Sequence, residues 1–455
     1  MPGTSPPDAG RASWHFHLED ILRLAVPAML AIASEPLLNI ADTAMIGRLG
    51  VEPLAARAIG SALIGGIYWA FTFLIFGTTT LVGFHHGAGH KRACGETWVH
   101  AVFLAFVGGL GVSLFGIVFA PMLYGLMGAE EAVARLGVPY FRLRIASAPL
   151  TFMLYATVGF LRGIQDTRTP MLIAFLVNGV NLVLDYALIY GNLALPRLDL
   201  QGAAIAAWVA HGLGAIACLA VFLFSSRIAP YRPGRWRIDV RQLLPLFRIG
   251  RDLAARTGAL RFSLVFATAT TARMGSVILS AHEITFHLLM LCSDVIDGLA
   301  VAGQALMAKY LGAAQKNRAY SMGKTLIACG VVAGGLFAIL FIAAKEPIIR
   351  LFTNSPEVIR VLSGRVFLLL ALFQPCNGMV FVLDGLLIGA HDTRFVMWAM
   401  LIGALGLFVP ISWMSLHWGW GLTGVWIGVT ILMSWRLTTN LYRFTSMRWY
   451  ELRSI

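Results

Sequence analysis

Residues 34–47 read SEPLLNIADTAMIG and place Glu35, Asn39 and Asp42 inside a long apolar run. At about 100° per residue, Asn39 lies one turn from Glu35 and Asp42 about two turns from it, so the three form one stripe on a helix face. A carboxylate at the centre of a bilayer costs roughly 2.5–3.5 kcal/mol even on lenient scales. Such groups are therefore turned toward a cavity or a partner, where they can take up and release a proton or a small cation. A second stripe follows in NGVNLVLDY, where Asn178, Asn181 and Asp185 share a face at i, i+3 and i+7. A third runs through Glu283, His287, Asp294 and Asp297, with Gln304 further along. Asn377 and Asp384 make a fourth, two turns apart. Polar faces of this kind can also hold helices together without binding anything. The first two stripes are taken here as cation-coupling candidates, the last two as lining for a substrate cavity.

Enzyme chemistry finds little support. HEITFH, residues 282–287, looks like a zinc-protease motif. That motif needs histidines at i and i+4 on one face. His282 and His287 are five apart, about 140° around a helix, and cannot share an ion. No nucleophile elbow, P-loop or dinucleotide fingerprint is present. Neither a cofactor nor a metal site is expected. The five cysteines (94, 218, 292, 329 and 376) are scattered without metal or disulfide spacing and read as packing residues.

The elements that must hold these stripes follow from composition. The chain is 58% hydrophobic and only 13% charged, about half the charged share of a soluble protein, which makes it a polytopic membrane protein. Its net charge of +13 suggests nucleic acid, but the basic residues fall in the gaps between apolar segments, as expected of cytoplasmic loops, and nucleic acid is excluded as a partner. Runs of about 20 apolar residues mark twelve spans: 21–47, 54–84, 97–121, 138–162, 169–191, 201–225, 243–272, 277–308, 321–344, 360–389, 395–416 and 421–443. The basic segments at 89–96, 162–170, 225–242, 309–324 and the C-terminal tail follow spans 2, 4, 6, 8 and 12. All lie on one side, so both termini are expected in the cytoplasm.

The chain is written twice. ILRLAVP at 21 answers LFRIGRD at 246, Arg48–Gly50 answers Arg273–Gly275, and GFLRGIQDTRTPM at 159 answers GLLIGAHDTRFVM at 385. Pro121 pairs with Pro347 and Pro149 with Pro375, at an offset of 225 or 226 throughout. Six spans precede the copy, so both halves enter the membrane in the same direction, a parallel repeat about the membrane normal. The expected fold is all-α: twelve transmembrane helices in two pseudo-symmetric six-helix bundles that enclose a cavity. Its parts are a cytoplasmic tail (1–17), an N-lobe (18–225), a basic cytoplasmic linker (226–242), a C-lobe (243–445) and a second tail (446–455). The acids break the symmetry: the partner of Asp42 is Ala267 and that of Asp384 is Val158. Arg142 and Arg144 read as snorkelling to the outer interface. Asp166 with Arg168, and Asp392 with Arg394, read as helix-end structure or inter-lobe latches.

The stretches LAVPAMLAIASEPLLNIADTAMIGRLG, LRGIQDTRTPMLIAFLVNGVNLVLDYALIYG and DGLLIGAHDTR resemble the multidrug and toxic compound extrusion (MATE) transporters, in their DinF-like branch, from about residue 18 to 445. The resemblance implies antiport of organic, often cationic or amphipathic compounds out of the cell against protons or sodium. It implies Asp42 as the coupling residue, completed by Asn181 and Asp185, and a helix bend at Pro27, to which Pro36 adds a second. Sodium at Asp42, Asn181 and Asp185 is the alternative to protons. Sodium sites in this lobe tend to add a hydroxyl from span 6, and Ala206 and Ala207 stand there, which favours protons. The expected partners are small organic substrates and the lipid bilayer, and the expected state is a monomer in the plasma (inner) membrane. A flippase of lipid-linked intermediates on a related two-lobe scaffold is the other reading. It would want a cationic cavity, whereas the intramembrane charges singled out above are mostly acidic.

Overall fold

The structure, a computed structural model, describes residues 9–234 and 236–453. The first eight residues of the 1–17 tail and the last two of the 446–455 tail lie outside it. Before the linker come α1 (Ala9–Gly47), α2 (Val51–Tyr68), α3 (Phe73–Gly87), α4 (Lys91–Leu126), α5 (Glu131–Ile145), α6 (Ala148–Gly163), α7 (Arg168–Tyr190) and α8 (Asp199–Phe224). After it come α9 (Val240–Ala272), α10 (Ser276–Gly312), α11 (Lys316–Ala343), α12 (Lys345–Phe352), α13 (Pro356–Val361), α14 (Phe367–Leu372), α15 (Gln374–Gly389), α16 (Thr393–Leu401), α17 (Val409–His417) and α18 (Gly421–Thr445). No strand occurs among the described residues. Several helices are pieces of one span: α2 and α3 meet at a 3-10 turn, and α16 and α17 at a π turn. The pieces α5 and α6 bend by 43°, and α13–α14 against α15 by 41°.

Eight described helices are long and apolar enough to cross a membrane, and ten if each bent pair counts as one. The helices α9 and α18 complete the twelve spans read from the sequence. They fall short on composition because α9 carries Arg248, Arg251, Arg256 and Arg261, and α18 carries Arg436 and Arg443. Lipid does not tolerate such groups unless protein surrounds them.

The repeat is written in the backbone. Relative to the first half, the second places a helix end at Ala272 against Gly47, a start at Ser276 against Val51, an end at Gly312 against Gly87 and a start at Lys316 against Lys91. Each is offset by 225. Left-handed backbone recurs with it, Gly50 (φ 132°) answering Gly275 (φ 110°), and Gln165 (φ 68°) answering His391 (φ 62°). Close packing repeats as well. A Cβ on Gly109 would lie 2.4 Å from the Cα of Pro149, and one on Gly334 would lie 2.7 Å from the Cα of Pro375. Both helices thus cross the proline of the neighbouring bend, where only glycine lets the backbones approach.

Contacts divide the chain into two units, one of Leu30–Gly250 and one of residues up to Met29 with Arg251–Ile455. The cuts fall inside α1 and inside α9. The linker belongs to the first of these units and is strapped to it. The Tyr231 hydroxyl is 3.0 Å from His86 Nδ1 and the Asp239 N–H donates to His100 Nε2 at 2.9 Å. Ile228 is buried in a core with Trp98, Phe160 and Phe222.

Candidate coupling site

In the Leu30–Gly250 unit, α1 and α7 are held together at two rungs. Asn178 donates to Ser34 Oγ at 2.8 Å, and the Tyr190 hydroxyl donates to the Met45 carbonyl at 2.8 Å. Sequence numbers rise together on both helices, so the two run parallel here. Asp42 lies eight residues beyond Ser34, and Asp185 seven beyond Asn178. At about 1.5 Å per residue these are rises of about 12 and 10.5 Å, which sets the two carboxylates level on neighbouring helices.

Their surroundings differ. Asp185 is buried; its Oδ2 accepts from Asn181 Nδ2 at 2.8 Å, and its Oδ1 is sealed from solvent with no partner. Asp42 Oδ2 accepts from Arg57 twice, from Nε at 2.9 Å and from Nη2 at 2.6 Å, while its Oδ1 is likewise sealed without a partner. Arg57 itself is buried, and its Nη1 donates to Thr43 Oγ1 at 2.8 Å. Charge-assisted contacts of this kind are stronger than neutral hydrogen bonds. Two buried carboxylate oxygens left without donors are costly, and a proton or cation relieves that cost.

Of the first stripe, Asp42 alone is drawn into this cluster by its side chain. Asn39 contributes its carbonyl, 3.4 Å from Arg57 Nη2, and Glu35 is an exposed residue of α1. Asn178 bonds across to α1, away from Asp185. Helix α1 runs unbroken through both Pro27 and Pro36. The passage of α1 from one unit to the other, after Met29, comes two residues beyond Pro27.

The other unit holds the remaining candidates apart from this cluster. Asp384 is buried on α15 and accepts from Arg256 of α9, from Arg436 of α18, and from Asn440 Nδ2 at 2.7 Å. Asn377, two turns earlier on the same helix, is buried with its Oδ1 unpartnered. On α10, Glu283 accepts from Thr268 at 3.3 Å, His287 is exposed, and Asp294 and Asp297 are half-buried one turn apart. These polar groups lie on four helices, and the described residues contain no cluster of three or more His, Cys, Asp or Glu side chains able to hold a metal.

Sequence reasoning missed the cations. Arg57, Arg256 and Arg436 stand inside apolar runs, and the interior expected to be mostly acidic is balanced by their guanidinium groups. The turns at Asp166 and Asp392 differ too. Asp166 caps α7 by accepting from the N–H and hydroxyl of Thr169, and Asp392 pairs with Arg443 at 2.5 Å, not with Arg394. Both are helix-end contacts within one unit. Arg144 donates to Ser147 Oγ at 3.3 Å in the bend between α5 and α6.

The MatE family model matches residues 27–187 and 260–414, one segment in each half. DNA damage-inducible protein F of Escherichia coli is 26% identical over 435 residues, covering 94% of this chain and 90% of its own length. A Thermotoga maritima protein named Probable multidrug resistance protein NorM is 27% identical over 454 residues, covering 96% and 94%. The crystal structure of a Vibrio cholerae MATE transporter mutant superposes with a TM-score of 0.87 at 20% identity, covering 97% of this chain and all of that one. At that identity the likeness is one of fold, and the fold is the twelve-helix, two-lobe arrangement. The chain is therefore a multi-pass membrane protein that belongs to the MATE family of transporters, not an enzyme.

Proposed function

We propose that the protein exports organic, often cationic or amphipathic compounds in exchange for protons by alternating access, from the plasma (inner) membrane and with both termini in the cytoplasm. The observation that carries this reading is the pair of level carboxylates, Asp42 and Asp185, each with one sealed oxygen and no partner for it. In the outward-facing state Asp42 takes a proton, loses its charge and lets go of Arg57. In the inward-facing state it returns the proton and the ion pair re-forms. Proton binding thus remakes contacts between α1 and α2, which gives it a mechanical output. A membrane potential supplies about 2.3 kcal/mol per elementary charge per 100 mV. At about 1.4 kcal/mol per tenfold, one proton exchanged for an uncharged substrate at 100 mV then supports roughly a fiftyfold gradient, whereas exchange for a monovalent cation is driven by the pH difference alone.

The names of the relatives support organic cargo, since the Thermotoga maritima protein is called a probable multidrug resistance protein. A flippase of lipid-linked phosphates asks for a guanidinium on offer. Here Arg57 is taken up by Asp42, and Arg436 is sealed against Asp384. Sodium coupling is the nearer alternative, but Ala206 and Ala207 on α8 are buried and bring no oxygen. The test is uphill export of a fluorescent organic cation from proteoliposomes, with an outside-acid pH gradient and a sodium gradient imposed separately. The proton reading expects export on the pH gradient with no sodium present. Export that needs sodium and ignores pH contradicts it.

A further inference from the structure

The surroundings of Arg57 have the chemistry of a cation site. Hard monovalent and divalent cations are bound by carboxylate, hydroxyl and carbonyl oxygens. Arg57 touches one of each: Asp42 Oδ2 at 2.6 and 2.9 Å, Thr43 Oγ1 at 2.8 Å and the Asn39 carbonyl at 3.4 Å. All three oxygens come from a single turn of α1, between Asn39 and Thr43, and the Thr43 hydroxyl itself donates to the Asn39 carbonyl at 2.6 Å. The guanidinium reaches them from the first turns of α2, so its position is fixed by the short connection between the helices and by its own burial. Guanidinium keeps its charge at any working pH.

The repeat provides an internal comparison. At the offset of 225, Thr43 becomes Thr268, Asp42 becomes Ala267 and Arg57 becomes His282. The contact survives in reduced form, with His282 Nε2 3.5 Å from Thr268 Oγ1. Where the carboxylate is absent, the permanent cation is absent too.

We propose that Arg57 is a tethered cation occupying the oxygen site that a sodium ion would otherwise take at Asp42, and that it restricts coupling to protons. A proton can reach Asp42 by converting the carboxylate to an acid that no longer holds the guanidinium. A sodium ion must instead displace a charge that cannot leave, because it is bonded to the chain eighteen residues or fewer from every ligand. The inference rests on the reading of Asp42 as the coupling group and concerns which ion that group accepts.

The test compares the full-length wild type with Arg57→Gln, which removes the charge while keeping an amide, and Arg57→Lys, which keeps a charge. Sodium binding is read by the rise in melting temperature in detergent as sodium replaces potassium, and transport is read in proteoliposomes on a sodium gradient. Wild type and Arg57→Lys are expected to show no sodium-specific stabilisation and no sodium-driven export. Arg57→Gln is expected to gain sodium affinity at least tenfold and to lose it again when Asp42→Asn is added. If Arg57→Gln does not fold, Arg57→His replaces it, since the second half carries His282 at this position; sodium binding should then appear at pH 8 and fall away at pH 5. A folded charge-removed variant with no sodium binding overturns the proposal, as does sodium binding that survives Asp42→Asn. The binding arm needs no transport, so loss of coupled export alone would count against the coupling reading and not against the cation site.

Discussion

At the scale of single residues, the membrane interior is organised by ion pairs that link positions far apart in sequence. Asp384 is the clearest case, held by two guanidinium groups and an amide from α9 and α18. Removing one partner from such a buried network costs about 3–5 kcal/mol, because the charges left behind lose their compensation. Asp384→Asn and Arg436→Leu are therefore expected to lower the melting temperature of the purified protein markedly. Asp185 has no cation within its bonds, only Asn181, so Asp185→Asn should leave stability close to wild type. Its effect should appear in the pH dependence of transport, which Asp384→Asn should leave in place. A pH–rate profile unchanged in Asp185→Asn but moved in Asp384→Asn would put the proton site in the second half. The stripes themselves were legible, since Asp42 and the Asn181–Asp185 pair follow from helical spacing. Their cations were not. Arg57, Arg256 and Arg436 stand 15, 128 and 52 residues from their acids, and only the packing of helices joins them. The signal that was available is Arg57 itself, an arginine within an apolar run whose repeat position carries His282.

At the scale of elements, helix crossings are set by glycine. Gly334 on α11 lies against the backbone of Gln374 and Pro375, whereas its neighbour Gly335 has nothing within 4 Å of where a Cβ would sit. Alanine is preferred over glycine in a helix by up to about 1 kcal/mol. Gly335→Ala should accordingly be neutral or stabilising. Gly334→Ala must push two helices apart and should cost about 1–3 kcal/mol. Equal melting temperatures for the two variants would show that the crossing tolerates more space than its geometry implies. Span positions and the 225-residue offset were readable because apolar length and repetition are local properties of a sequence. The bends at α5–α6 and α14–α15 were foreshadowed only by Pro149 and Pro375. The π turn between α16 and α17 ends two residues before Pro410, whose ring and missing N–H disturb the preceding turn, but its π form was not legible from the sequence.

At the scale of the whole molecule, the repeat holds in its main helix boundaries and is broken in its chemistry. One half carries level carboxylates on α1 and α7, while the other has Ala267 in place of Asp42 and uses its buried acid to hold helices together. On the proposed reading this is a division of labour, with coupling in the first half and cohesion in the second. The orientation of both halves rests on the basic loops, and it can be checked directly. The five native cysteines are buried or half-buried, and Ile238 in the linker is exposed. Ile238→Cys should react with a membrane-impermeant maleimide from the cytoplasmic side only, and labelling from the outside would invert the topology.

The most direct measurement is uphill export by Asp42→Asn in proteoliposomes under an outside-acid pH gradient, with the purified variant first shown to be folded and inserted. Asparagine keeps the shape of the side chain and removes both its charge and its ability to carry the transported proton. Coupled export should fall to the level of empty vesicles, while downhill leakage of substrate through the protein stays measurable. Export against the gradient at the wild-type rate would mean that Asp42 only anchors Arg57, and that protons are carried somewhere else.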